Sequence, residues 1–158
     1  MEQSWNKEER IRRAIDLFMA GFNCSQSVVA AFADIYGFTE EQALRMSASF
    51  GGGIGRMRET CGAACGMFLL AGLEKGAIDP KDRQGKGANY ELVQQLAAKF
   101  KEQNGALRCA DLLKLPKGEP VVSTPEARTP AYYAKRPCVK MVEVAARIWA
   151  EYYETMKK

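Results

Sequence analysis

The residues of this chain best suited to chemistry are its five cysteines, because the chain contains no histidine. Functions that need imidazole as a base, an acid or a metal ligand therefore lose their central group. Sulfur becomes the only soft ligand and the most suitable nucleophile. The cysteines are Cys24, Cys61, Cys65, Cys109 and Cys138. We expect any chemistry of this chain to use thiols.

Four of these cysteines are predicted at the starts of helices. Cys24, Cys61 and Cys138 each fall in the first turn of a predicted helix, and Cys109 opens a short one. Backbone N–H groups and the partial positive charge at a helix N-terminus favour thiolate over thiol, which lowers the thiol pKa from its free value of about 8.5. The alternative is that each cysteine is a small buried core residue.

Cys65 is placed differently from the other cysteines. It lies four residues after Cys61, on the same face of the same predicted helix. It has no terminal N–H groups of its own there. We therefore interpret Cys65 as a core residue rather than as a resolving thiol.

A glycine-rich stretch, Gly51 to Gly55, directly precedes the Cys61 segment. It lacks the Gly-Lys-Ser/Thr ending of a P-loop and follows no predicted strand. Its flexibility would let the backbone approach the Cys61 sulfur, or form an anion pocket with Arg56 and Arg58; a tight connection between helices is the alternative. The two arginines would favour a thiolate at Cys61 if their side chains point inward, whereas Glu59 would oppose it.

Helical periodicity runs through nearly the whole chain and predicts an all-α fold. Helices are predicted at about residues 8–20, 24–36, 39–46, 61–75, 87–103 and 137–153, with Ser4, Asn23, Thr39 and Thr60 as caps and Pro137 in the first turn of the last. No run alternates apolar and polar residues as a strand would. We predict a compact bundle of five or six helices with a glycine-rich loop.

A Pro-rich stretch at about residues 114–131 is predicted to be irregular and to cross the surface of the bundle. It contains Pro116, Pro120, Pro125 and Pro130. With a length of 158 residues, we expect a single helical domain over residues 1–158.

Composition and charge limit the classes of partner. The net charge of +4 is small and the basic residues lie among acidic ones, which argues against nucleic acid. The longest uncharged apolar run, residues 61–73, is too short to span a bilayer, so no membrane-embedded protein is expected. No targeting segment is evident, which predicts a cytoplasmic location, where cysteines are more often reactive than permanently bridged. If an apolar helix face is exposed, it could form the contact surface of a homodimer.

The string Cys61-Gly62-Ala63-Ala64-Cys65-Gly66 matches the pattern CGAxxG. With one cysteine upstream and two downstream, the chain resembles the redox-active protein family named for its C, GCAxxG, C, C pattern, over about residues 8–150. The resemblance implies that the family's four cysteines correspond to Cys24, Cys61, Cys109 and Cys138. Cys65 occupies a variable position and inherits no role.

Thiol–disulfide redox chemistry is the first function that these residues indicate. In it, Cys61 would attack a disulfide or an oxidised substrate and Cys24 would resolve the intermediate, as in an oxidoreductase. The other member of the reaction would be a redox partner or a small-molecule substrate, and no cofactor is required. Because the chain has no Cys-x-x-Cys, the exchange must use cysteines distant in sequence, and a thioredoxin-like architecture is not expected.

Two alternatives come from other classes. The family cysteines could hold zinc or an iron–sulfur cluster, although ligands separated by tens of residues are unlike those of zinc ribbons and ferredoxins. The metal ligands would then be Cys24, Cys61, Cys109 and Cys138. The chain could also be a non-catalytic helical binding module, with the stretch from Pro116 to Pro130 as its contact surface.

Overall fold

A computed structural model describes residues 5–157, and these residues form eight α-helices and two short 3-10 turns at residues 33–36 and 48–50. The helices are α1 (Lys7–Met19), α2 (Cys24–Ala30), α3 (Glu40–Ser47), α4 (Gly62–Lys75), α5 (Arg83–Asn104), α6 (Cys109–Leu112), α7 (Pro130–Lys135) and α8 (Cys138–Lys157). Within this part of the chain there is no β-strand, only an isolated bridge between Thr60 and Arg108. The all-α prediction is confirmed.

The six helices of seven residues or more correspond to predicted ones, and the short α6 begins at Cys109 as expected. The helix predicted over residues 24–36 is shorter, because α2 ends at Ala30 and a 3-10 turn follows at residues 33–36. Helix α7 is a further difference. The irregular segment was predicted to extend to residue 131, but Pro130 already begins a helix. The side chain of Thr129 accepts a hydrogen bond from the N–H of Tyr132, and proline suits the first helical position.

Local capping explains where most helices begin. Asn23 and Thr39 both form the predicted capping boxes at the starts of α2 and α3. The predicted cap Ser4 lies outside the described residues, and Asn6 caps α1. The prediction that α5 starts near residue 87 is wrong, because the side chain of Asp82 caps a helix that begins at Arg83.

Helix α4 lies at the centre of the bundle, packed against α2, α5 and α8. Its first turns are made of small and apolar residues on every side, so residues 61–67 are all buried. Large aromatic side chains of the surrounding helices, among them Phe18, Phe100 and Trp149, complete the core. The start of α4, where Cys61 lies, is therefore inside the protein. No helix within residues 5–157 combines the length and apolar character needed to cross a membrane.

Candidate functional site

Four cysteines line one cavity of about 300 Å³. Cys24, Cys109 and Cys138 are the first residues of α2, α6 and α8, as the sequence predicts, and Cys61 immediately precedes α4. Cysteines separated by tens of residues thus meet because four helices begin around the same cavity. All of them are free thiols. Cys65 does not line the cavity, and its thiol donates a hydrogen bond to the carbonyl of Thr60 at 3.8 Å.

Gly62 and Gly66 allow α2 to approach α4 closely. A Cβ at Gly62 would lie 2.5 Å from the Cys24 sulfur and 2.6 Å from the carbonyl oxygen of Phe50. A Cβ at Gly66 would lie 2.9 Å from the Cβ of Val28. All three distances are shorter than van der Waals contact, so neither glycine position has room for a side chain. The two glycines of the CGAxxG string therefore bring the Cys24 sulfur against the start of α4.

Two short antiparallel segments hold Cys61 beside Cys109. The N–H of Cys61 donates to the carbonyl of Leu107 at 2.9 Å, and the N–H of Cys109 donates to the carbonyl of Glu59 at 2.6 Å. The prediction that Thr60 caps α4 is wrong, because Thr60 lies in the bridge between these segments. Cys61 takes the N-cap position instead of lying in the first turn.

The glycine-rich loop is a left-handed turn. Its residues with φ between 58° and 74° are Gly52, Gly53, Ile54, Gly55 and Arg56. This conformation costs an L-residue such as Ile54 about 1–2 kcal/mol, so the loop stores strain beside the cavity. The N–H of Gly52 donates to the Cys24 sulfur. The backbone of the loop therefore approaches Cys24.

The thiols of Cys24 and Cys61 set each other's pKa, with the Cys61 thiol acting as hydrogen-bond donor to the Cys24 sulfur. This bond, helped by the N–H groups of Gly52, Ser25 and Cys24 itself, outweighs burial and lowers the pKa of Cys24 to about 6. The same bond to Cys24, together with burial, raises the pKa of Cys61 well above its usual range. At neutral pH the pair therefore carries one negative charge, and Cys24 holds it.

The cavity arginines do not favour a thiolate at Cys61, contrary to the sequence expectation. The Arg58 guanidinium donates to the Cys109 sulfur, with 3.7 Å between Nη1 and Sγ. Arg56 donates through Nη1 to the carbonyls of Val122, at 2.6 Å, and Thr124. Both guanidinium groups thus have partners other than Cys61, and the pKa of Cys61 is raised.

The other cavity thiols are protonated at neutral pH. Burial raises the pKa of Cys109 above its usual value even though Arg58 opposes the shift. Burial also raises the pKa of Cys138 to about 11, although the Tyr132 hydroxyl donates a hydrogen bond to its sulfur. Outside the cavity, burial raises the pKa of Cys65 to about 11. Cys24 is thus the cavity sulfur most readily ionised.

An irregular strap, residues 116–129, covers the outer side of the cavity. Residues 116–127 are all exposed, in agreement with the predicted surface crossover. The strap is held by Arg56 through the two carbonyls already described and by an ion pair between Glu126 and Arg136. Arg128 also anchors it, donating to the carbonyls of Phe18 at 2.9 Å and Phe22 at 2.8 Å.

Sequence reasoning missed four residues of this wall: Glu126, Arg128, Tyr132 and Arg136. The Thr129-Pro130 pair is the usual start of a helix and could have revealed α7, which carries Tyr132. No local signal pointed to the other three, because Arg128 contacts Phe18 and Phe22, more than 100 residues away, and Glu126 and Arg136 pair across an irregular segment.

No group of three or more histidine, cysteine, aspartate or glutamate side chains within residues 5–157 could hold a metal ion. The four cavity thiols therefore do not form a ligand set in this arrangement. The geometry gives the zinc or iron–sulfur alternative no support.

Comparison of the chain with models of known protein families shows the family to which it belongs. The model described as "Putative redox-active protein (C_GCAxxG_C_C)" matches residues 22–152, most of the 158 residues. The chain belongs to this family. In this C_GCAxxG_C_C protein the match includes all four cavity cysteines, and the family description supports a redox role in general terms. No curated protein and no solved structure matches the chain.

The structure gives this C_GCAxxG_C_C protein a physical reason for its cysteine pattern. The separated cysteines meet at one cavity, and the glycines of the central string permit the contact between Cys24 and α4. Ala63 follows the motif's cysteine and glycine, and it is fully buried between the helices. Each element of the pattern thus contributes to one site.

Proposed function

We propose that this protein carries out thiol–disulfide exchange, with Cys24 as the attacking thiolate and Cys61 as the resolving thiol. The observation that carries the proposal is that the Cys24 sulfur lies against the start of α4, directly beside Cys61, where the Cys61 thiol lowers the pKa of Cys24. This interaction leaves the charge on Cys24, which as a residue is also less buried than Cys61. The roles are the reverse of those that the sequence predicts.

The exchange has two steps. The Cys24 thiolate attacks one sulfur of a disulfide, forms a mixed disulfide and releases the other half as a thiolate, which takes a proton from water. Cys61 then loses its proton to water and attacks the Cys24 sulfur, and the second half of the substrate leaves as a thiolate. The substrate gains two electrons, and the protein keeps a Cys24–Cys61 disulfide. A dithiol reductant returns the protein to its starting state by the reverse exchange.

Cys61 becomes a better nucleophile once Cys24 has reacted. In the mixed disulfide Cys24 is neutral, so neither its charge nor its hydrogen bond holds the proton on Cys61. The N–H groups of Ala63 and Ala64 then stabilise a thiolate at Cys61. The negative charge thus passes from one member of the pair to the other as the reaction proceeds. The exchange requires no metal or organic cofactor.

The stoichiometry of the reaction tests this proposal. Reduced protein mixed with excess 2-hydroxyethyl disulfide without oxygen should release two thiols per chain and form a Cys24–Cys61 disulfide. Cys61→Ser should release one thiol and retain a mixed disulfide at Cys24, because the resolving sulfur is absent. Cys24→Ser should react at least about tenfold more slowly, since only thiols of raised pKa remain. Intact and peptide mass spectrometry would identify the products.

Cys65→Ser is the matched control, since Cys65 lies outside the cavity, and it should behave like the wild-type protein. Undiminished reaction of Cys24→Ser would contradict the assignment of the attacking thiolate. If Cys61→Ser still formed an internal disulfide at the wild-type rate, Cys61 would not be the resolving thiol.

A further inference from the structure

We infer that the disulfide accepted by this site is a small molecule carrying negative charge. This inference rests on the proposed function and specifies its substrate class. Four guanidinium groups line the same cavity as the four thiols: Arg56, Arg58, Arg128 and Arg136. Among the described residues of the lining, Glu126 is the only carboxylate. The side chains that line the cavity therefore favour substrates with negative charge.

The cover over the sulfurs favours a small substrate. Cys61 and Cys109 are 6% and 7% exposed, and the strap lies over the cavity. A disulfide fixed in a folded protein would have to approach Cys24 past the strap, which Arg56, Arg128 and Arg136 hold in place. A cavity of about 300 Å³ is at the lower end of the range found for small-molecule sites. A small disulfide fits a cavity of this size.

The charges of the cavity are unbalanced. Four guanidinium groups face the two negative charges of Glu126 and the Cys24 thiolate, and Glu126 is already paired with Arg136. The partners of Arg56 and Arg128 are neutral carbonyls, which leave the charge of each guanidinium in place. In a partly buried cavity such charges are weakly screened and concentrate a ligand of opposite sign. A dianion would bring the cavity to neutrality.

Mutual repulsion within the arginine group supports the same conclusion. The pKa of Arg56 is lowered by burial and by the neighbouring charges of Arg58 and Arg136. Both hydrogen bonds from Arg56 to the strap use Nη1, so its remaining N–H groups can bind an anion. An anionic group at this point would pair with Arg56 and relieve the repulsion between the guanidinium groups.

Three small disulfides of similar size and different charge test the inference. Dithiodiglycolate carries two carboxylates, 2-hydroxyethyl disulfide is neutral, and cystamine carries two ammonium groups. The rate of reaction at Cys24 would be divided by the rate of the same disulfide with N-acetylcysteine amide, which removes differences in intrinsic reactivity. We expect the corrected rate to be about tenfold higher for dithiodiglycolate than for the neutral compound, and lowest for cystamine. The preference should weaken as salt is added.

Variants locate the source of the preference. Arg56→Gln and Arg136→Gln should each reduce the ratio of anionic to neutral rates several-fold, whereas Arg136→Lys, which keeps the charge, should retain most of it. Arg12→Gln is the control, because Arg12 is exposed on α1 and does not line the cavity. A retained reaction with the neutral disulfide would show that a variant is folded and that only selectivity has changed.

The outcomes separate this inference from the proposed function. Equal corrected rates for the three disulfides, or a preference for cystamine, would overturn the inference and leave thiol–disulfide exchange intact. An oxidised protein disulfide that reacts faster than dithiodiglycolate would also overturn it. Failure of Cys24 to react with any disulfide would contradict the proposed function itself.

Discussion

Reduced protein should react with iodoacetamide at a rate that rises with pH only to about pH 7 and then stays constant, with the alkyl group on Cys24. The reason is the pKa of about 6 at Cys24, which makes about half of this sulfur thiolate at about pH 6, against about 0.1% of a thiol with a pKa of about 9. The lower basicity of the thiolate reduces its intrinsic reactivity by about twentyfold. The net advantage over an ordinary thiol near pH 6 is therefore about 20-fold.

Two substitutions of Cys61 separate its effect on the pKa of Cys24 from its role as a resolving thiol. Cys61→Ala removes the hydrogen-bond donor, so the midpoint of the pH profile should rise by about a unit or more. Cys61→Ser keeps a hydroxyl donor and should leave the midpoint closer to that of the wild-type protein. Peptide mapping after brief alkylation at several pH values gives both the site and the profile.

Two results would contradict this account of the pair. An unchanged midpoint in Cys61→Ala would show that the hydrogen bond is not the main cause of the lowered pKa. Fast alkylation of Cys61 instead of Cys24 would restore the roles that the sequence predicts. Iodoacetamide is uncharged, so neither result depends on the charge of the cavity.

The parts of the site that the sequence reveals are those set by local interactions. Asn23 caps α2 through contacts within three residues, which fixes Cys24 at the start of a helix, and Pro137 directly precedes Cys138 at the start of α8. Such helix caps can be predicted from the sequence because the hydrogen-bond donor and acceptor are close in the chain. The helical positions of three cavity cysteines were therefore predictable, and so was the interpretation of Cys65 as lying apart from them.

The identity of the ionised sulfur was not predictable, because it depends on contacts between distant segments. Gly52 donates to Cys24 from a loop 28 residues further along the chain, and Cys61 donates from the next segment. The contact of Arg58 with Cys109 joins residues 51 positions apart, which helical periodicity does not reveal. The strap likewise reaches Arg56 across more than 60 residues. The charge of the cavity and the position of the strap over it therefore depend on tertiary contacts, which the sequence pattern does not reveal.

Gly62→Ala should reduce both the stability of the protein and the reactivity of Cys24. The new Cβ would lie 2.5 Å from the Cys24 sulfur and 2.6 Å from the carbonyl oxygen of Phe50. The carbonyl belongs to the backbone and cannot rotate away, so α4 or Cys24 must shift. Overpacking of this kind costs about 1–3 kcal/mol. Displacement of the sulfur should also weaken its bond with Cys61 and raise the midpoint of the alkylation profile.

Gly72→Ala is the matched control in the same helix. Gly72 is exposed, and a Cβ there has no neighbour within 4 Å. Alanine should therefore stabilise the protein by about 0.5–1 kcal/mol through its higher helix propensity and leave the alkylation profile unchanged. Denaturant unfolding of both variants measures the contrast. Equal effects of the two substitutions would show that α2 and α4 are not in close contact at Gly62.

A double variant identifies the sulfur as the source of the Gly62 effect. In Cys24→Ala the atom closest to the new Cβ is absent, so adding Gly62→Ala to this background should cost less than adding it to the wild-type protein. The contact with the Phe50 carbonyl remains, so part of the cost should persist. Residues in direct contact commonly show coupling of about 0.5–3 kcal/mol. Strict additivity would mean that the Cys24 sulfur does not touch the start of α4, and the explanation of the CGAxxG glycine would then fail.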